Sequence, residues 1–196
     1  MGQYFSNEKL PSKVKKIYAK ICNNNFTFLT DNGVFSKDGV DFGSRLLLES
    51  IPLNEVGAKV LDVGCGYGTI GIVINKLTGA NVDMVDVNHR AIHLAERNIK
   101  ENGCKNTQVF ESNSYDQITS KYDTIITNPP IRAGKDVVYD ICLNAVNHLN
   151  VSGLLFLVVR KEQGAKSLIS KLKEVYNVEI IERKNGYFIV KCSRKN

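Results

Sequence analysis

The apolar positions of this chain change period as it is followed from its N-terminus. Leu10, Val14, Ile17 and Ile21 recur every three or four residues, which predicts an amphipathic helix with Pro11 in its first turn. Phe26–Thr30, Asp31-Asn32-Gly33 and Val34-Phe35-Ser36 then predict a small β-hairpin, followed by a helix through Ser44–Glu49. From about residue 58, short apolar runs alternate with amphipathic stretches. The runs Lys59–Val63, Val82–Val87, Thr107–Glu111, Tyr122–Thr127 and Leu154–Val159 predict strands. Thr69–Leu77, Arg90–Asn102, Lys135–Leu149 and Ala165–Tyr176 predict the helices between and after them, the second stopped by Gly103 and the third ending near Gly153. Val178–Glu182 and Tyr187–Cys192 flank Asn185-Gly186 and predict a closing antiparallel hairpin.

Repeated βα units with short connections predict an α/β fold: a doubly wound, mostly parallel sheet covered by helices on both faces. Ligands of such sheets bind beyond the carboxyl ends of the strands, where the strand order reverses. The expected organisation is a basic helix-and-hairpin extension over residues 1–56, packed on a core over residues 57–196, the whole a single globular unit.

Composition narrows the class. With 43% hydrophobic and 23% charged residues, the 196-residue chain is neither disordered nor collagenous. Its longest apolar run, Leu154–Val159, is far short of a membrane span. The first residues lack the charged start and apolar core of a secretory signal. Met1-Gly2 with Ser6 meets the minimal myristoylation pattern, but a single acyl chain anchors weakly and is discounted. The five cysteines, Cys22, Cys65, Cys104, Cys142 and Cys192, stand singly, so neither a disulfide framework nor a structural metal site is expected. The reading is a reduced, cytoplasmic protein without a metal. His89 and His93 are four apart, but the residue between them that would complete a zinc-hydrolase motif is Arg90.

The net charge of +6 is unevenly spread: residues 1–25 carry +4, residues 183–196 carry +5, and the middle carries −3. Basic ends on a slightly acidic body suit a polyanion-facing surface or simple solubilisation. On the predicted first helix, Lys13, Lys16 and Lys20 form a stripe that can meet phosphate.

The candidate chemistry lies just after the strands. Asp62-Val63-Gly64-Cys65-Gly66-Tyr67-Gly68 runs from a strand into a helix, and Gly66, Gly68 and Gly71 satisfy G-x-G-x-x-G, a fingerprint that is weak alone. Asp62 before the loop would repel a pyrophosphate, so the order suits a zwitterionic ligand better than NAD. No histidine is placed to activate Cys65, which reads as a small loop residue. Asp86, ending the next strand before Val87, can accept both hydroxyls of a ribose or cap the following helix. Ser112-Asn113-Ser114 offers an acceptor for an adenine amine or a simple turn.

The sharpest signal is Asn128-Pro129-Pro130-Ile131, which holds two of the four prolines. Prolines fix the backbone so that the Asn128 side-chain oxygen and the Pro129 carbonyl can converge on both hydrogens of a planar –NH₂ group. A conjugated amine is a poor nucleophile, so holding it and stabilising its growing positive charge is the chemistry required.

Together these motifs resemble class I S-adenosylmethionine-dependent methyltransferases that modify amino groups. Gly33-Val34-Phe35-Ser36, Val40-Asp41-Phe42-Gly43-Ser44, Asn128 through Lys135 and Gln163-Gly164-Ala165-Lys166, with Tyr4-Phe5-Ser6, narrow the resemblance to the small methyltransferase-domain family acting on guanine N2 of small-subunit ribosomal RNA. The resemblance implies a Rossmann-like seven-stranded sheet with a reversed last strand and S-adenosylmethionine as donor. It implies that Asp62, Gly64, Cys65, Gly66, Gly68, Asp86, Val87 and Asn113 border the cofactor, with Gly43 and Ser44 closing over it. Asn128, Pro129, Pro130 and Ile131 would form the amine-holding corner. Arg132 and Lys135 would join the three N-terminal lysines on ribosomal RNA or the small subunit. Asn113 stands where many relatives carry aspartate, and Ile131 where adenine and glutamine methyltransferases carry Tyr or Phe. An aliphatic Ile131 cannot stack on a flipped base, which leaves the stacking partner unnamed. The competing readings are a methyltransferase for another RNA amine or a protein glutamine, and a non-catalytic nucleotide- or NAD-binding module.

Overall fold

The computed structural model describes residues 10–195. The Met-Gly start and Tyr4-Phe5-Ser6 lie outside the described residues. A two-stranded antiparallel hairpin, β1 (Lys15–Ile21) and β2 (Asn24–Thr30), precedes α1 (Phe42–Ser50). The core follows as β3 (Lys59–Val63), α2 (Thr69–Thr78), β4 (Asn81–Asp86), α3 (His89–Glu101), β5 (Thr107–Glu111) and β6 (Tyr122–Thr127). It ends with α4 (Lys135–His148), β7 (Leu149–Arg160), α5 (Ala165–Val175), β8 (Tyr176–Lys184) and β9 (Tyr187–Arg194).

The seven core strands lie in the order β5-β4-β3-β6-β7-β9-β8. All neighbours are parallel except β9, which runs against both β7 and β8. Alternate residues of each central strand enter different apolar clusters, as a sheet covered on both faces requires. Val60, Val82, Ile126 and Phe156 join the cluster built with α1, α2, α3 and the hairpin. Leu61, Val85, Ile125 and Leu155 join the cluster built with α4 and α5. The chain leaves β3 toward β4 and β5 and later returns beside β3 with β6. The strand order therefore reverses between β3 and β6, and the loops after those two strands meet there.

The N-terminal segment corrects the sequence expectation. Residues 15–21 are a strand, not a helix, and the hairpin is one element earlier than its predicted place. Ile17, Ala19 and Ile21 turn inward while Lys16, Tyr18 and Lys20 face solvent, a period of two hidden inside the three-and-four spacing. Cys22 and Asn23 both take positive φ (47° and 62°), supplying the two-residue turn that matches strand twist. The Lys13–Lys16–Lys20 stripe of a helix is thus undone: Lys13 precedes the strand, Lys16 and Lys20 share its outer face, and Lys16 pairs with Glu101 at 2.6 Å.

The outer edge of β2 is closed by side chains one helical turn apart, Asn98 on α3 and Asn102 at its C-cap. Asn98 accepts from Leu29 N–H (2.7 Å) and donates to Leu29 C=O (3.0 Å). Asn102 does the same for Thr27, at 3.2 and 2.8 Å. An edge strand so covered offers no template for another chain. Residues 149–153, expected as helix end and loop, form the start of the long β7, with a register shift against β6 between Tyr122 and Thr124.

Candidate active site

A cleft of about 360 Å³ opens at the reversal of strand order. Its floor is the loop after β3. Gly64 and Gly66 take φ of 73° and 57°, which L side chains rarely adopt. The N–H groups of Gly64 and Cys65 both donate to Val85 C=O, at 2.9 and 3.0 Å, tying the loop to β4. Thr127 Oγ1 donates to Val63 C=O at 2.8 Å and locks the end of β6 beside the end of β3. The two motifs therefore adjoin: a Cβ built on Gly64 would lie 3.7 Å from Pro130 Cδ.

Asn128 is held from a direction the sequence did not reveal. Its Nδ2 donates to Asp41 Oδ2 at 3.0 Å and to Ser44 Oγ at 2.9 Å. Both amide hydrogens are thereby committed, and a carboxylate partner fixes which way round the amide sits. Oδ1 is the atom left to accept. Asp41 also caps α1, accepting from Ser44 N–H at 3.0 Å, so helix start and asparagine share one carboxylate. Ser44 thus meets Asn128 as well as lining the cleft, whereas Gly43 does not line it. A Cβ on Gly43 would come within 2.9 Å of both Asp41 Oδ2 and Tyr187 Cε1, so glycine there permits both to reach the site. The Tyr187 ring is backed by Phe42 (centroids 5.2 Å apart) and by the Arg160 guanidinium (5.0 Å from the centroid).

At the other end of the cleft, Asp86 Oδ2 accepts from Gly66 N–H (2.8 Å) and Oδ1 from Asn88 N–H (2.9 Å), leaving lone pairs on both oxygens. The cap of α3 is Asn88, not Asp86, because its side chain accepts from Arg90 and Ala91 N–H. Burial raises the Asp86 carboxyl above its ordinary range, against the pull of its backbone donors. Val87 and Asn113 line the same end with Ser112 and Ser114. Tyr67 reaches from the glycine loop toward the carbonyls of Ser36 and Gly39, so residues 33–39 lie over the floor and bring Phe35 to the cleft wall.

Asp62 sits beneath the loop rather than on the cleft wall. Its Oδ2 accepts from Gly71 N–H at 2.8 Å, while its buried Oδ1 has no partner among the described residues. Burial, with Asp86 adding to it, pushes this carboxyl up to about 7. Gly68 is also a packing residue, since a Cβ there would lie 3.0 Å from Ile72 Cδ1. Burial raises the Cys65 thiol well above its ordinary value, which suits an inert loop side chain.

The structure therefore brings Ser44, Gly64, Cys65, Gly66, Asp86, Val87, Asn113, Asn128, Pro129, Pro130, Ile131 and Arg132 together around one cleft. Lys135 opens instead onto an adjoining cavity, and Lys13, Lys16 and Lys20 lie outside both. The sequence reading missed Asp41, Phe35, Arg160, Gln163 and Tyr187 as walls of the cleft. All but Arg160 and Tyr187 belong to segments it had marked for resemblance without assigning them roles.

This constellation can be set beside known proteins. Residues 25–191 match the family described as methyltransferase small domain. The chain belongs to that family. It is 42% identical to the Bacillus subtilis (strain 168) protein YbxB, itself uncharacterized, over 99% of this chain and 100% of that one. It is 34% identical to ribosomal RNA small subunit methyltransferase C of Escherichia coli (strain K12 / DH10B), over 80% of this chain and 47% of the relative. The chain thus spans about half the length of those ribosomal RNA methyltransferases. Among solved structures it resembles the Thermus thermophilus 16S rRNA N2 G1207 methyltransferase in complex with AdoMet and guanosine. The TM-score is 0.83 and the identity 27%, over 95% of this chain and 52% of that one. The ribosomal protein L11 methylase of Lactobacillus delbrueckii shares the fold, with a TM-score of 0.71 at 22% identity. The Rossmann-like methyltransferase fold implied by the sequence is the one observed.

Proposed function

We propose that this methyltransferase small domain transfers a methyl group from S-adenosylmethionine to the exocyclic N2 amine of a guanine in 16S ribosomal RNA. One observation carries the reading: Asn128, with both amide hydrogens taken by Asp41 and Ser44, has only its carbonyl oxygen left to accept, on the wall of a cleft it shares with the glycine loop. A group that can only accept fits an –NH₂ donor.

The residues fit the donor molecule. A Cβ on Gly66 would meet nothing within 4 Å among the described residues, so the loop leaves open space above it. Asp86 has lone pairs for ribose hydroxyls, and Val87 with Ser112, Asn113 and Ser114 can border an adenine. When bound, S-adenosylmethionine supplies an electrophilic methyl carbon attached to a sulfonium. Asn128 Oδ1 and the Pro129 carbonyl hold the amine, withdraw charge as its nitrogen becomes cationic, and direct its lone pair along the cleft. Tyr187 and Phe35 line the cleft and are aromatic where Ile131 is not. Flipping the base out of its stack costs a few kcal/mol, and Arg132, Lys13 and Lys20 offer phosphate contacts that offset this. Lys16 spends part of its charge on Glu101.

The test supplies labelled S-adenosylmethionine with guanosine, 16S ribosomal RNA and small ribosomal subunits lacking the modification, then identifies the labelled nucleoside. N2-methylguanosine is expected. Label on adenine or cytosine, or on a protein glutamine alone, overturns the assignment.

A further inference from the structure

A second cavity, of about 240 Å³, adjoins the cleft, and Ile131 and Gln163 are the residues common to both. Its floor is apolar, formed by Ile131, Val138 and Leu168. One side is Tyr139, whose hydroxyl is 2.8 Å from Ser167 Oγ, so the ring is pinned across the gap between α4 and α5. The Lys135 ammonium lies 5.0 Å from the centroid of that ring, a cation beside an aromatic face.

Among the residues that line this cavity, Lys135 carries the charge. Its neighbours in sequence, residues 131–139 and 160–168, add Arg132, Arg160, Lys161 and Lys166 against Asp136 and Glu162, with Arg160 paired to Glu162 at 3.1 Å. An apolar floor, a pinned ring and a lysine beside it are what a nucleotide needs: a face for the base and a charge for its phosphate. A free metabolite would gain nothing from the shared wall, but a polymer threaded through the cleft must leave it with a neighbouring residue. Ile131 then has a physical reason to be aliphatic. Here it divides two seats and serves as floor to the second.

We propose that this side cavity holds the nucleotide adjoining the target guanosine in the same RNA strand, its base against Tyr139 and the Ile131–Val138–Leu168 floor and its phosphate at Lys135. The inference rests on the function proposed above and adds a sequence-context subsite to it. It makes the cavity a determinant of RNA affinity and of neighbour preference that a lone nucleoside cannot engage.

Ser167→Trp blocks the mouth from an exposed position, and Tyr139→Ala removes the ring. Each variant is assayed with free guanosine and with a short single-stranded oligoribonucleotide containing the target guanosine, alongside calorimetry with S-adenosylmethionine. The expected result is a KM for the oligonucleotide raised roughly tenfold in both variants, with guanosine transfer and donor affinity unchanged. A change that is equal for guanosine and oligonucleotide, or absent for both, overturns the subsite while leaving the methyltransferase reading intact. If the wild-type chain methylates guanosine in neither form, the reading itself has failed and the subsite falls with it. Unchanged donor affinity certifies folding, and if Ser167→Trp loses it, Tyr139→Ala decides the question.

Discussion

At the scale of single residues, the site is governed by what holds Asn128. An asparagine amide can present either its oxygen or its nitrogen, and only a fixed partner decides between them. Asp41 decides it here, with Ser44 as second acceptor. Asp41→Asn keeps the size of the side chain but loses the charge-assisted bond and allows the amide to turn. Turnover is expected to fall roughly ten- to a hundredfold with S-adenosylmethionine affinity unchanged, as steady-state kinetics beside calorimetry would show. Asp62 makes a second residue-scale prediction. Its folded carboxyl titrates at about 7 against an ordinary 3.8, so between those values the folded chain keeps a proton that the unfolded chain has lost. Stability therefore falls as pH rises from about 4 to about 7 and levels off above it. Thermal melts of wild type and Asp62→Asn across that range should show a shallower slope in the variant, and parallel slopes would refute the assignment.

At the scale of elements, α2 must lie close against β4 for the glycine loop to reach β6. A Cβ on Gly71 would stand 2.4 Å from Met84 Sδ and 2.6 Å from its Cγ, both fully buried. Gly71→Ala gains up to about 1 kcal/mol of helix propensity but overpacks by about 1–3 kcal/mol, so net destabilisation is expected in urea unfolding. In a Met84→Ala background the same change should cost far less, because the Met84 atoms are gone and only Val82 Cγ1, at 3.2 Å, must give way; an undiminished cost there would mean the contact is misassigned. The elements also show what sequence could disclose. Strands buried on both faces and helices stopped by Gly79 and Gly103 write their period and ends locally, so β3 to β6 and the helices between them were legible to within a residue or so. The first strand was not, because Leu10, Val14, Ile17 and Ile21 fit a helical stripe while Ile17, Ala19 and Ile21 fit a sheet. The Asn98 and Asn102 ladder that settles the matter lies at the end of α3, far along the chain.

At the scale of the whole molecule, the site exists because the strand order reverses between β3 and β6. The glycine loop and Asn128-Pro129-Pro130 were legible because each carries its chemistry in consecutive residues. Asp41 and Tyr187 were not, since each meets partners far along the chain that no local pattern announces. Asp62 was legible as a chemically loaded position but not as one turned under the loop to meet Gly71. The topology thus joins a carboxylate-held asparagine from one side of the reversal to an open glycine floor from the other. Separating donor binding from transfer in Asn128→Ala tests that arrangement most directly. Calorimetry with S-adenosylmethionine should give the wild-type affinity, while single-turnover methyl transfer to guanosine falls roughly a hundredfold or more. Transfer at the wild-type rate, or a loss that follows entirely from weakened donor binding, would contradict the account.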